Sequence, residues 1–266
     1  MGAVQMTKED AIDDLARRYL AAEAERAALE PISVICPALT MDEAYRVQMA
    51  IVAKKLETGE RLAGKKVGAT NEAIQKAMMI PEPIYGHLFE SQQISSGTTV
   101  SLSRLIHPKV ECEIAFILER DLSGPGATAE EAIEAARSVA ASIEINDSRT
   151  RGWQIGTREV IADNGVAARF ILGEKVFDAR DLDLREVGVV MEKNGEEVAR
   201  STGAAILGNP VESVAWLANK VAEHDGGLRA GEVVLAGSMT PMTPVGREDL
   251  IEASFDDLGK VSVRFD

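Results

Sequence analysis

The stretch Leu105-Ile106-His107-Pro108-Lys109-Val110-Glu111-Cys112-Glu113-Ile114-Ala115-Phe116-Ile117-Leu118 constrains the chain more than any other. From Val110 onward it alternates as a strand does. Val110, Cys112, Ile114, Phe116 and Leu118 fall on one face, and Glu111, Glu113, Ala115 and Ile117 on the other. Strand side chains repeat every two residues, so Glu111 and Glu113 point the same way. Two carboxylates on one face of an otherwise apolar strand repel each other. Burial would raise their pKa values unless a cation lies between them. A hard divalent ion, Mg²⁺ or Mn²⁺, meets that need because it prefers oxygen ligands. The plainer alternative is a solvated strand face.

A third carboxylate strengthens the metal reading. In Ala140-Ala141-Ser142-Ile143-Glu144-Ile145-Asn146-Asp147-Ser148-Arg149, Glu144 stands between two isoleucines in a short β-like core. Three Glu from two strands could fill three positions of an octahedral ion and leave the rest for water and substrate. Spacing alone leaves their convergence open.

The rest of the chain bounds what such a site can serve. A length of 266 residues allows one large domain, or a small one plus a larger one. A formal net charge of -14 makes nucleic acid and anionic membrane surfaces poor partners. An anionic substrate then needs a metal or local Lys and Arg residues to offset the field. Cys36 and Cys112 are the only cysteines, and Cys112 sits on the apolar strand face, which suits a buried thiol better than a disulfide. With no signal-peptide pattern and no apolar run of bilayer length, a reducing cytoplasm is the expected setting.

Taken in order, the N-terminal third reads as helical. Thr7 caps a helix running to about Leu29, with Ile12, Leu15, Tyr19 and Leu20 as its apolar stripe, ended by Glu30-Pro31. Thr40-x-x-Glu43 is a capping box, followed by Ala44, Val47 and Ile51 at helical spacing until Gly59. Leu62 to Thr70 is short, Gly-punctuated and β-like. Asn71 can cap a brief helix to about Met79, and Pro81 and Pro83 break the chain before Ile84-Tyr85-Gly86-His87-Leu88.

Strands and turns then take over. Thr128-x-x-Glu131 opens a helix to about Ala140. Asn194-Gly195 is a two-residue hairpin turn between strands at Val187 to Met191 and near Val198. Asn209-Pro210 starts a helix bearing Val214, Leu217, Ala218 and Val221 on one face. Val233 to Ala236 is a buried strand ended by Gly237, and Ile251 to Phe265 reads as two strands joined near Gly259. The fold class is α+β, with a helical N-terminal part over residues 1–85 and a β-rich part over 86–266.

Several side chains have both a bland and a chemical reading. Alternation sends Lys65 and Lys66 to opposite faces, so one is a candidate for burial beside an anion, while exposure is the ordinary state of lysine. His87 and His107 fit hydrogen-bonded structural histidines better than catalytic bases. Asp163-Asn164-Gly165 fits a plain turn. The Gly-x-Ser-x-Gly, phosphate-loop, dinucleotide and zinc-type patterns are all absent from the sequence.

Lys65-Lys66-Val67-Gly68-Ala69-Thr70, His107-Pro108-Lys109-Val110-Glu111-Cys112-Glu113-Ile114-Ala115, Ile145-Asn146-Asp147-Ser148-Arg149, Ala162-Asp163-Asn164 and Leu207-Gly208-Asn209-Pro210 occur in that order. Val214 to Asn219 and the closing Gly259 to Phe265 complete the series. Together they resemble the hydratase/decarboxylase group of the fumarylacetoacetase-like fold, over nearly the whole chain from about Thr40 to Phe265. The resemblance implies a mixed β-sheet or barrel core with a smaller helical N-terminal domain. It implies that Glu111, Glu113 and Glu144 hold a divalent metal, Mg²⁺ with Mn²⁺ as the alternative, and that Lys66 is the active-site lysine. It places substrate contacts at Gly68, Ile84, Tyr85, Asp163 and Ser238.

Members of this group often continue Ala-Asp-Asn with Ala-Ser, whereas Gly165-Val166 follows here. The hydratases of the group carry an Asp-Phe-Gly or Asp-Tyr-Gly step. Here the step is Ile84-Tyr85-Gly86, similar to the decarboxylases, as are Leu105 to Lys109 and Gly188 to Glu196. Met239-Thr240-Pro241-Met242 is close to neither branch. The expected activity is decarboxylation of 4-oxalocrotonate (2-oxo-3-hexenedioate), a 2-oxo-dicarboxylate of aromatic meta-cleavage catabolism, with hydration of 2-hydroxypenta-2,4-dienoate as the alternative. A homo-oligomer able to associate with the pathway hydratase is also implied. Two further classes are a C–C bond hydrolase, which would need His87 or His107 as a base, and a non-catalytic subunit.

Overall fold

Helix starts in this protein are written by side chains that satisfy the first backbone N–H groups. In a computed structural model describing residues 7–71, 74–76, 80–222 and 226–266, Thr7, Thr40 and Thr128 each accept from the backbone N–H three residues on. The residue at that third position, Asp10, Glu43 or Glu131, bonds back to the threonine N–H. These boxes open α1 (Lys8–Glu25), α3 (Met41–Glu57) and α4 (Ala129–Ala135). A short turn, α2 (Ile32–Ile35), lies between the first two. The first helix stops at Glu25, earlier than Glu30-Pro31 would dictate, because Arg26 turns left-handed (φ 55°) and caps it. The brief helix expected from Asn71 to Met79 falls largely outside the described residues. Helices α5 (Thr157–Ala162) and α6 (Pro210–Ala222) complete the helical elements used below.

The strands form two sheets among the described residues. The larger runs β2 (Ile84–Phe89), β1 (Leu62–Gly68), β11 (Val233–Ser238), β5 (Lys109–Ile117), β6 (Ser138–Asn146), β7 (Ala167–Leu172) and β3 (Gln93–Ser95). Short β12 (Thr243–Pro244) pairs with β5, and β8 (Phe177–Asp178) with β6. The smaller runs β10 (Glu196–Thr202), β9 (Gly188–Lys193), β13 (Leu250–Phe255), β14 (Gly259–Phe265) and β4 (Thr99–Val100). Asn194 and Gly195, at φ 57° and 81°, form the tight turn between β9 and β10. β1 is parallel to β11 on one side and antiparallel to β2 on the other, and β11 is in turn antiparallel to β5.

Strands β1 and β2 belong to the large sheet, and the elements before them, through α3, are helical apart from their connections. These two strands are short and broken by Gly and Pro in sequence. Their strand character comes from neighbours far along the chain, β11 above all. Gly237 likewise lies within β11 and does not end it.

The alternation of β5 decides where the layers meet. Val110, Cys112, Ile114 and Phe116 share one core with Val189 and Met191 of β9, Ile251 and Ala253 of β13, Val261, Val263 and Phe265 of β14, and Val214, Leu217 and Val221 of α6. The opposite face of β5 gives Ala115 to a smaller cluster with Leu88, Phe170 and Leu235. On the third side, α1 and α3 bring Ile12, Leu15, Tyr19, Val47 and Ile51 against Ile84 and α5 residues Val160 and Ile161. Gln48, fully buried, fastens this helical layer. Its Nε2 donates to Tyr85 O at 3.0 Å and to Ile161 O at 2.8 Å. Cys36 and Cys112 are both free thiols. Among the described residues no helix is long and apolar enough to cross a membrane.

Candidate metal centre and active site

Cross-strand register assembles the acidic cluster. In the β5–β6 ladder Glu111 lies directly opposite Glu144, and Glu113 opposite Ser142, one pleat away on the same face. The three side chains are buried, and each offers a carboxylate oxygen within 4.8 Å of the others. Asn146 stands two residues after Glu144 and so shares its face. Its Nδ2 donates to Glu111 Oε1 at 2.8 Å and to Glu144 Oε2 at 3.4 Å. The Gly237 N–H donates to Glu113 Oε2 at 2.8 Å. Glu113 Oε1 and Glu144 Oε1 are buried with no hydrogen-bond donor. Buried acceptors without donors are costly. Convergent carboxylate oxygens with unfilled lone pairs are the ligand set that a hard divalent cation takes. The residues present therefore fit Mg²⁺ or Mn²⁺.

Lys66 reaches the same cluster from β1. Its Nζ lies 3.0 Å from Glu144 Oε2 and donates to Gly165 O at 3.2 Å. Strands β11 and β5 separate β1 from β6. In a flat sheet three strand spacings are roughly 14 Å, a lateral span that side chains standing perpendicular to the sheet do not cover. The contact closes because the sheet curls, and the cluster lies on its concave side. Both lysines of the pair are buried, against the ordinary preference for exposure. Lys65, on the other face, meets Glu232 at 3.4 Å.

Burial acts against every charge in this cluster. It pushes Glu111 up to about 7, Lys66 pulling the other way and Glu144 adding to the rise. Burial, then Glu144 and Glu111, hold Glu113 well above the usual carboxylate range. Burial also opposes the charge on Lys66, but Glu144, Glu111 and Glu113 outweigh it and keep the ammonium protonated. One lysine cannot balance three carboxylates, so protons or a divalent cation must supply the remaining positive charge.

The carbonyl that holds Lys66 comes from an unusual turn. Asn164, Gly165 and Val166 have φ of 53°, 65° and 56°, three left-handed residues in succession. A β-branched residue there costs about 1–3 kcal/mol and persists only when its surroundings hold it. They do so here. Asn164 Oδ1 accepts from His87 N at 2.7 Å, and its Nδ2 donates to His87 O at 2.8 Å. Val166 O accepts from Asp147 N at 2.8 Å. Gly86 leaves the necessary room, since a Cβ there would come within 2.5 Å of Asn164 O.

Above Lys66 and Glu111 opens a cavity of about 430 Å³. Gly68, Ile84 and Ser238 line it, together with Thr70, Val166, Met239 and Met242. A Cβ on Gly68 would lie 3.3 Å from Ile84 Cγ1 and 3.8 Å from Lys66 Nζ, so this glycine keeps open the space beside the ammonium. Two expected contacts lie elsewhere. Tyr85 is buried against Tyr45, ring centroids 4.9 Å apart, and faces a separate cavity. Asp163 turns away to Arg149, accepting from its N at 2.8 Å and its Nε at 2.5 Å. Alternation explains Tyr85, since neighbours in a strand face opposite ways. Asp163 goes to Arg149 because a buried carboxylate needs a cation. Neither histidine of the motif segments lines the cavity, and His107 is exposed.

Sequence reasoning gave no role to Asn146, Asn164 or the Gly165 carbonyl. Asn146 was within reach of the same period-two argument that paired Glu111 with Glu113. The other two depend on a turn conformation that residue types do not specify.

Curled sheet, buried carboxylates and lysine define an enzyme-like site fit for a divalent metal, and comparison with known proteins supplies the family and its lyase class. The family described as "Fumarylacetoacetate (FAA) hydrolase C-terminal" matches residues 60–266. The chain is 37% identical to a 2-keto-4-pentenoate hydratase of Burkholderia vietnamiensis, over 98% of this chain and 99% of that protein. It is 40% identical to a 4-oxalocrotonate decarboxylase of Pseudomonas putida, over 86% and 87%. The structure of 4-oxalocrotonate decarboxylase from Pseudomonas putida G7, complexed with magnesium and adipate, superposes with a TM-score of 0.94. There the identity is 37% and the coverage 98% of this chain and 99% of that one. The protein belongs to the FAA hydrolase family, within its hydratase/decarboxylase group of meta-cleavage aromatic catabolism. A fumarylpyruvate hydrolase from Pseudomonas aeruginosa, at 20% identity and a TM-score of 0.62, shares the fold.

Proposed function

We propose that the protein decarboxylates 2-oxo-3-hexenedioate (4-oxalocrotonate) to 2-hydroxypenta-2,4-dienoate. The observation that carries this reading is the character of the cavity. Apart from Glu111 and Lys66, its described lining residues include no titratable side chain, and Ile84 stands where an acid would serve hydration. An apolar wall around a distal carboxylate favours its departure as neutral CO₂. The adipate in the similar decarboxylase is a six-carbon dicarboxylate, which supports a substrate of that length.

Glu111, Glu113 and Glu144 would hold the divalent ion, and Gly68 and Ser238 border the substrate. When bound, the ion would supply Lewis-acid stabilisation of the negative charge that develops on the 2-oxo acid. The C5–C6 bond breaks, CO₂ leaves, and its electron pair moves through C4 and C3 to the C2 oxygen. Lys66, held protonated and oriented by Glu144 and Gly165 O, donates a hydrogen bond or a proton to that oxygen. Val166, Ile84 and Met239 exclude water from the path of the departing carboxylate.

Hydration of 2-hydroxypenta-2,4-dienoate is the second reading. It is favoured by the hydratase relative that matches 98% of the chain and by the Thr70 and Thr240 hydroxyls in the cavity. The deciding assay offers purified, Mg²⁺-loaded protein each compound separately. Consumption of 2-oxo-3-hexenedioate with release of CO₂ is expected, and consumption of the dienoate alone overturns the proposal. The homo-oligomer and its association with a pathway hydratase rest on the family resemblance, and light scattering and co-purification test them.

A further inference from the structure

A second cavity, of about 390 Å³, lies outside the acidic cluster and carries the opposite charge. Arg26, Arg104, Arg149 and Arg169 line it, with Glu23 and Asp147. In a chain with a formal net charge of -14, four guanidinium groups around one cavity need an explanation, because like charges brought together repel.

The acids of the cavity supply only part of it, Glu23 and Asp147 acting on Arg149 and Glu23 on Arg169. Glu23 Oε1 is taken by Lys55 Nζ at 2.7 Å. Both Asp147 oxygens accept backbone N–H groups, from Ile106 at 2.8 Å and His107 at 2.6 Å. Arg149 is committed as well. Its Nε bonds Asp163, its Nη1 donates to Asp147 O at 2.6 Å and its Nη2 to Asp163 O at 2.7 Å. The other three are not. Arg26 gives one nitrogen to Ser103 O and Arg169 gives one to Ala168 O. Among the described residues neither guanidinium is in ion-pair contact with a carboxylate, although Glu23 lies near enough to Arg169 to feel its charge, and the Arg104 guanidinium has neither a carboxylate nor a hydrogen-bond partner. Each guanidinium carries five N–H donors in a fixed fork, so most of the donors on these three remain available.

We propose that this cavity binds a phosphate group, either free phosphate or a phosphomonoester. A tetrahedral dianion offers enough acceptors for several forks at once, the geometry at which arginine surpasses lysine. The ligand would rest against the segment Asp147–Arg149, which leaves the strand carrying Glu144. This site is separate from the proposed reaction, and its test does not depend on that reading.

The test is calorimetric titration of the full-length, Mg²⁺-loaded protein with inorganic phosphate at constant ionic strength, with ribose 5-phosphate as a second arm. One saturable site per chain with a submillimolar dissociation constant is expected. Tighter binding of the ester than of inorganic phosphate assigns the ligand to phosphomonoesters, and the reverse to free phosphate. Arg104→Gln, an exposed change, should weaken binding at least threefold, and Arg104→Gln with Arg169→Gln at least tenfold. Metal-dependent turnover without phosphate should be unchanged in both. Absence of saturable heat in the wild type overturns the proposal. Undiminished binding in Arg104→Gln overturns it too, because the anion then binds elsewhere, the metal centre included. A change in molar mass by light scattering on substitution, with no phosphate bound by the wild type, also overturns it by assigning the arginines to contact with a second copy.

Discussion

Replacing Lys66 by Met should expose how the acidic cluster is balanced. Methionine keeps most of the aliphatic stem and removes the ammonium. Lys66 Nζ lies 3.0 Å from Glu144 Oε2, with both side chains almost wholly buried. At an effective dielectric of about 20, a unit pair at that distance is worth roughly 5 kcal/mol. Relief of the lysine's own burial and proton uptake by the carboxylates reduce the loss, and measured losses for a broken buried pair are about 3–5 kcal/mol. The pH dependence has a definite sign. Glu111 and Glu113 are raised, so the folded state binds more protons than the unfolded one. Their contribution is fully present below the ordinary carboxylate range and is lost as pH rises, for Glu111 through about 7 and for Glu113 through its own raised value. Without the lysine the carboxylates have only protons to neutralise them, so the variant's loss should grow between pH 5 and pH 8. Saturating Mg²⁺ should shrink it at either pH. The assay is urea unfolding at fixed protein concentration, in chelator and in Mg²⁺, at both pH values. A wild-type midpoint for the metal-free variant at pH 8, or equal losses with and without Mg²⁺, would refute the reasoning.

Glu113→Gln should lower Mg²⁺ affinity at least tenfold, about 1.4 kcal/mol. Calorimetry reads this directly, and wild-type turnover in excess chelator would contradict a metal role for the cluster. Gly68→Val fills the space beside Lys66 Nζ and Ile84. It should raise KM at least tenfold with Mg²⁺ affinity unchanged, and an unaltered KM would mean that substrate does not pass Gly68. Asn164→Ala removes both bonds to the His87 backbone and strands two buried groups, a loss of about 2–4 kcal/mol. Chemical denaturation checks this, and a loss under about 1 kcal/mol would show that the left-handed turn does not depend on that clamp.

How much of this was legible in the sequence depended on how local each signal was. The three threonine caps, the Asn194-Gly195 turn and the two faces of β5 are decided by residues within a few positions of one another and formed as written, although the helix that Thr128 opens stops at Ala135, short of Ala140, where β6 takes over the chain. Glu111 and Glu113 share a face by alternation alone. That Glu144 lies opposite Glu111 is a matter of register between strands, which no residue in either strand announces. Lys65 and Lys66 were ambiguous for the same reason. Their burial is decided by Glu232 and Glu144, residues distant in sequence. Tyr85 and Asp163 do not line the cavity beside Lys66, because a motif gives position along the chain and not the direction of a side chain. Gly165-Val166, where similar sequences continue Ala-Ser, became intelligible only once three consecutive left-handed residues were seen to aim a carbonyl at Lys66.

The parallel pairing of β1 with β11 has a consequence for biosynthesis. The ladder between β5 and β6 joins segments close in sequence, so its three glutamates can come together while the chain is still growing. Lys66 leaves the ribosome earlier than any of them, yet its strand has no inner neighbour until Val233–Ser238 has been made. At roughly 5–20 residues per second, several seconds separate synthesis of the three glutamates from synthesis of the strand that docks the lysine. A chain stopped before Val233 would keep every proposed metal ligand and still be unable to bring Lys66 to them.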